Sequence, residues 1–141
     1  MAMDHDALDR VRTLIEGAAP AVLTTYRQDV SAHVSPVWFR WDGESFEVVI
    51  AKGDAKLRHL ARDPRCVFVV FEATPPFRGV ELRGTPELID TDVTAVRAVI
   101  AGKYLGATAG ERFAAERRSK PGVILRLKAG DARVWDLSAI T

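Results

Sequence analysis

The densest group of residues able to do chemistry lies in the segment AKGDAKLRHLARDP, residues 51–64. Lys52, Lys56, Arg58, His59 and Arg62 gather cations over eleven positions. On a helix, Lys56 and His59 stand at i, i+3 and Arg58 and Arg62 at i, i+4, so two basic stripes form. Gly53 and Asp54 precede that helix, which places its free N–H groups and positive dipole end just after a strand end at Ala51. A helix N-terminus with a lysine beside it is an anion site, and the chemistry would be the holding of a phosphate. The same run also reads as a solvated basic face, and the residues alone leave both readings open. A second concentration is aromatic: Trp38, Phe39, Trp41 and Phe46 fall within SPVWFRWDGESFEVVIA. Such density could line a pocket for a planar heterocycle. Phe39, Trp41 and Phe46 read better as core and dimer contacts.

Other chemistries find little support. The chain has no GxGxxG, P-loop, GxSxG or HExxH. His5, His33 and His59 match no common metal-site spacing and read as ordinary polar residues. Cys66, the single cysteine, sits in an apolar stretch and reads as a buried, inert thiol. One cysteine also excludes an intramolecular disulfide and a multi-cysteine zinc site. Ser31, Ser35 and Ser45 fall in expected strands without a nearby base. Lys+Arg number 20 against 19 Asp+Glu, a net charge of +1, so no basic excess points to nucleic acid. With 141 residues, 48% hydrophobic and 28% charged, the composition is that of one soluble globular domain. No apolar run approaches the ~20 residues of a membrane span. The N-terminal MAMDHDALDR is too polar for a signal or transit peptide, so a cytoplasmic protein is expected.

The elements that must position these residues follow from periodicity. Leu8, Val11, Leu14 and Ile15 predict a helix over 4–17, capped by Asp4 or Asp6. Strands are predicted over 21–26, 31–41, 45–51, 65–72, 79–89, 123–127 and 133–137. Pro36 makes the second of these an edge or bulged strand. Asp42-Gly43 predicts a type I′ hairpin. The strand 65–72 is expected to be central or buried on both faces. Gly84, inside the strand 79–89, predicts a bulge or close backbone approach. Helices are predicted over 54–62, 90–101 and 109–118. Short antiparallel strands with inserted helices suggest a closed or partly closed barrel, a mainly β fold.

The ordered combination of a strand with Ser35-Pro36-Val37, the Asp42-Gly43 hairpin, a helix carrying Ala55-Lys56-x-Arg58-x-Leu60, Asp63-Pro64-Arg65, an apolar strand and a strand with Arg83-Gly84 resembles the pyridoxamine 5'-phosphate oxidase-like, FMN-binding split-barrel superfamily. It is most similar to the actinobacterial branch that uses the deazaflavin F-420. The likeness covers residues 21–89 well and the last strands loosely. It implies a six- to seven-stranded antiparallel split barrel with short helices, over residues 1–141, that forms a homodimer with cofactor grooves at the interface.

It further implies that Lys56 holds the cofactor phosphate, with Arg58 and His59 as further polar contacts. Ser35, Pro36, Val37 and Trp38 would run along the ring; Val49, Ile50, Ala51 and Lys52 would meet the ring edge and ribityl chain. Arg83 would stand on the opposite wall. Arg58, Arg62, Arg117, Arg118 and Lys120 could meet the carboxylates of a deazaflavin's oligoglutamate tail. The implied activity is hydride transfer between F-420 and a small organic substrate, with no metal and no obligatory side-chain acid or base. FMN is the alternative cofactor, and a binding protein without turnover the alternative function. Related sequences often carry Arg or Ser where this chain has Asp54, and an N-capping Asp would take helix N–H donors away from a ligand. The chain also lacks the C-terminal Arg-and-His substrate motif of true pyridoxamine phosphate oxidases, which argues against vitamin B6 as substrate.

Overall fold

The computed structural model describes residues 5–141, with side chains from Ala7 onward, so the predicted caps Asp4 and Asp6 and the imidazole of His5 lie outside it. Five strands, β1 (Ala21–Tyr26), β2 (Ala32–Val37), β5 (Cys66–Phe71), β6 (Gly79–Gly84) and β9 (Arg133–Trp135), make one antiparallel sheet in the order β2-β1-β5-β6-β9. Four more, β3 (Arg40–Trp41), β4 (Ser45–Ala51), β7 (Glu87–Asp90) and β8 (Gly122–Lys128), make a second in the order β3-β4-β8-β7. The helices are α1 (His5–Asp9), α2 (Arg12–Glu16), α3 (Ala55–Arg62), α4 (Thr94–Leu105) and α5 (Ala107–Glu116).

The expected six to seven strands of one closed or partly closed barrel are thus corrected to nine strands in two sheets, with no ladder joining the sheets among the described residues. Two predicted strands each prove to be two. The chain leaves the five-stranded sheet at Trp38-Phe39 and enters the other at Arg40; it does so again at Thr85-Pro86, where proline cannot donate to a ladder. Pro36 does lie on an edge strand, β2. The core fills the space between the sheets. Phe39, Phe46 and Phe68 are fully or almost fully buried and meet pairwise with ring centroids 5.3–5.8 Å apart. These tilted and edge-on geometries suit aromatic quadrupoles. Cys66 lies beside them, and burial pushes its thiol up to about 12.

The second sheet is braced by charge. Arg40, Glu47, Arg126 and Glu87 are successive cross-strand neighbours. Glu47 is 0% exposed and takes contacts from Arg40 at 2.6 Å and Arg126 at 2.9 Å. A buried carboxylate is tolerable only with such pairing.

Several local expectations change. The N-terminal helix breaks at Val11, whose N–H bonds to Leu8 C=O three residues back and tightens the chain. At the hairpin only Gly43 has positive φ, 100°, and the Asp42 N–H bonds to Ser45 C=O. Gly43 is then the first central residue, which suits the II′ requirement rather than I′. β5 is central but alternates buried and half-buried rather than burying both faces. α4 runs past Gly102 and ends at Gly106 (φ 94°), where the chain folds back into α5. There Gly110 packs against Gly102 so closely that a Cβ would lie 2.4 Å from the Gly102 Cα.

Gly84 ends β6 with open space around it, whereas Gly79 makes the close approach: a Cβ there would lie 2.0 Å from the Trp135 ring. Gly79→Ala is therefore expected to cost about 1–3 kcal/mol, the usual range for overpacking. Gly84→Ala should stay within about 0.5 kcal/mol of wild type. Urea denaturation of the two variants checks the order, and equal midpoints would contradict it.

Candidate functional site

A cavity of about 810 Å³ lies where the ends of β2 and β4 meet α4 and α5. That volume is within the range of small-molecule and cofactor sites. Val37 and Trp38 form one apolar wall, and Val48 and Ile50 the floor. Ile100, Tyr104 and Phe113 close it from the helices. Trp38 is stacked on Tyr104, centroids 5.1 Å apart and planes 9° from parallel, and leans on Phe113 at 5.4 Å. The Tyr104 hydroxyl donates to Ala19 C=O at 2.9 Å, which ties α4 to the chain entering β1. Burial pushes that phenol up to about 12. Behind it, the Lys103 ammonium sits 3.5 Å from the Phe39 ring centroid without a hydrogen-bond partner among the described residues. Burial brings it down to about 8, and the ring face partly offsets its desolvation.

The polar side of the cavity carries Lys56, Arg97, Arg117 and Lys120 against a single carboxylate, Asp54. Asp54 caps α3: its Oδ1 accepts the Lys56 backbone N–H at 2.9 Å, and its carboxylate pairs with Lys56 Nζ at 3.1 Å. Burial alone would raise its pKa. The Lys56 backbone N–H and ammonium outweigh that, and the net shift is downward from 3.8. The capping expected of Asp54 is thus present, and the α3 N-terminus is already engaged by the chain's own carboxylate. Arg97 differs. It is 8% exposed, no carboxylate pairs with it among the described residues, and its Nη1 donates to Arg117 C=O and Lys120 C=O at 3.0 and 3.1 Å.

Of the residues singled out from the sequence, Pro36, Val37, Trp38, Val49, Ile50, Ala51, Asp54, Lys56, Arg117 and Lys120 line this cavity. The others stand elsewhere. Ser35 is on β2 with its Oγ buried and without a partner among the described residues. Lys52 turns to Asp90 at 2.9 Å. Arg58 is exposed on α3, and Arg62 donates to Tyr26 C=O. His59 bonds through Nδ1 to Thr25 Oγ1 at 2.9 Å and lies edge-on to His33, centroids 5.1 Å apart. Arg83 pairs with Glu81 at 3.0 Å and lines a separate hollow beside Gly84. Lys52, Arg58, His59 and Arg83 are therefore not brought to the cavity within one chain, because other partners or the outer face of α3 hold them.

Sequence reasoning missed Arg97, Ile100, Tyr104 and Phe113. A signal was present: Val93, Arg97, Ile100 and Tyr104 share one helical stripe, and an arginine on an apolar stripe is the informative kind of buried residue. Among the described residues no group of three or more His, Cys, Asp and Glu is placed to hold a metal ion, and no helix is long and apolar enough to cross a membrane.

The sequence profile described as pyridoxamine 5'-phosphate oxidase matches residues 7–136. The chain belongs to the pyridoxamine 5'-phosphate oxidase family. No curated protein matches this family member in sequence. Among solved structures, the conserved hypothetical protein Rv2991 of Mycobacterium tuberculosis superposes with a TM-score of 0.76 at 22% identity, covering 92% of this chain and 84% of the other. An F-420 reductase gives 0.64 at 23% identity, covering 86% and 94%. The FAD and heme binding protein of Mycobacterium smegmatis gives 0.66 at 18%, covering 89% and 69%. At these identities the likeness is one of fold.

The linkage of Asp54 gives a test of the α3 cap. A carboxyl whose folded pKa lies below its unfolded value adds stability above the unfolded value, and loses it as pH falls through the folded one. Asp54→Ala should cost about 1 kcal/mol at pH 7. Denaturation at pH 7 and again well below 3.8 should show that difference shrinking in acid; a difference unchanged by pH would contradict the cap.

Proposed function

We propose that this pyridoxamine 5'-phosphate oxidase-family protein is an oxidoreductase that binds the deazaflavin F-420 and serves hydride transfer to or from a small organic substrate. The observation that carries the reading is the cavity itself, which sets an apolar wall beside cations in excess over carboxylates. Val37, Ile50 and Tyr104 suit the faces of a planar tricyclic ring, and Lys56 suits a phosphate. The residues present therefore fit such a group. The bound deazaflavin would supply hydride from its ring.

The side chains have a limited chemical role. The described lining contains no His, Cys or Ser, and its one phenol, Tyr104, is held protonated by burial and bonded to Ala19. In this reading the walls bind, orient and exclude water. A homodimer belongs to the same reading. Val34 on the edge strand β2 and Leu105 at the end of α4 leave apolar surface near the cavity, 60% and 46% exposed. A second copy laid against this side could add Arg83 or the outer residues of α3 to the groove.

Fluorescence titration of the purified protein tests the reading. The deazaflavin should bind at micromolar concentration or below, with FMN much weaker. Lys56→Ala should weaken deazaflavin binding about tenfold or more, since a charge-assisted contact is worth roughly 1.5–3 kcal/mol. Tighter FMN binding would move the protein to the flavin alternative, and binding of neither would overturn the proposal. Light scattering should give a dimer, and a monomer would remove the shared groove. Binding without turnover across a panel of enones and quinones would leave a cofactor-carrying protein.

A further inference from the structure

Among the cations of the described lining, Arg97 is the most deeply buried. It forms no ion pair with a carboxylate among the described residues, Asp92 acting on it only at longer range, while Asp54, the carboxylate of the described lining, is engaged by Lys56. A guanidinium has five N–H donors. Nη1 serves the two carbonyls of Arg117 and Lys120; Nε and Nη2 make no hydrogen bond to the described protein. Nη2 is seated over Gly122, where a Cβ would come within 3.2 Å of it. Arg117 lies along the Phe113 ring at 3.6 Å and adds a second cation to the lining, and Lys120 adds a third with no side-chain partner among the described residues.

A guanidinium on a cavity wall whose unbonded donors are not sealed off by protein favours an anion there. The two carbonyls hold the guanidinium plane fixed, so its remaining donors are oriented before a ligand arrives. We propose that Arg97, with Arg117 and Lys120, forms an anion-receiving subsite on the α4–α5 side of the cavity, which takes a carboxylate or phosphate on the non-ring part of the bound cofactor. The inference rests on the reading of the cavity as a deazaflavin site and assigns that ligand's anion to a second location, distinct from Lys56 at the capped end of α3.

Three ligands separate the sources of the anion: the deazaflavin with its ribityl chain alone, the same with its phosphate, and the coenzyme with its glutamate tail. Each is titrated against wild type, Arg97→Gln and Lys120→Ala. Lys120→Ala removes a side chain that bonds to nothing in the fold, so it remains informative if Arg97→Gln fails to fold. The ribityl-only ligand should bind the variants within about twofold of wild type. The affinity gained on adding the anion should fall about tenfold or more in Arg97→Gln, for a charge-assisted bond, and severalfold in Lys120→Ala. A loss that enters with the phosphate assigns the subsite to phosphate; one that enters with the tail assigns it to the tail carboxylates. Losses equal for all three ligands, or affinities unchanged in both variants, overturn the subsite while the cofactor reading stands. Wild-type protein that binds none of the three overturns both.

Discussion

The adjacent residues Trp38 and Phe39 face opposite ways, and the rest of the structure depends on that. At this point the chain leaves one sheet for the other. Phe39 is fully buried and locks Phe46 and Phe68 between the sheets. Trp38 turns outward and stacks on Tyr104. One residue therefore fixes how the sheets pack, and its neighbour fixes where α4 and α5 lie over them. The cavity is the space left between these two commitments. Its walls come from a close-packed core, so they are set before any ligand enters.

Charge distribution decides what the cavity can hold. The second sheet uses its buried carboxylate, Glu47, wholly for internal bracing by Arg40 and Arg126. At the α3 N-terminus, Asp54 engages both the backbone N–H and the ammonium of Lys56. A phosphate arriving there must compete with that carboxylate. On the opposite side, carbonyl dipoles rather than an acid hold Arg97, and Glu116 reaches Arg117 only at 3.9 Å. The site is thus electrostatically lopsided, with neutralised charge at one end and open charge at the other.

Much of this was legible in the sequence, and the remainder was hidden for identifiable reasons. β1 and β4 begin and end where their periodicity predicts, because each is bounded by turn or helix signals. Asp54 was recognisable as a cap from its position at the start of the basic helix. The divisions at Trp38-Phe39 and Thr85-Pro86 were not recognisable, because a strand that changes sheet keeps its alternation in sequence. Lys52, Arg58 and Arg83 carry the same charge as Lys56, and only the tertiary structure separates them: Asp90 holds Lys52, Glu81 holds Arg83, and Arg58 faces outward from α3. The α4–α5 wall escaped for the converse reason. The stripe of Val93, Arg97, Ile100 and Tyr104 marks the packed face of α4, but it does not record that this face meets β2, some sixty positions away in the chain.

The central claim is that a flavin-type ring lies between the β2–β4 ends and the α4–α5 wall. A crystal structure of the protein with the deazaflavin bound tests this most directly. The account predicts ring density against Val37 and Ile50, with Tyr104 still stacked on Trp38. Ring density away from Val37 and Ile50, in the hollow beside Gly84 of the same chain or over the His33–His59 pair, would contradict it.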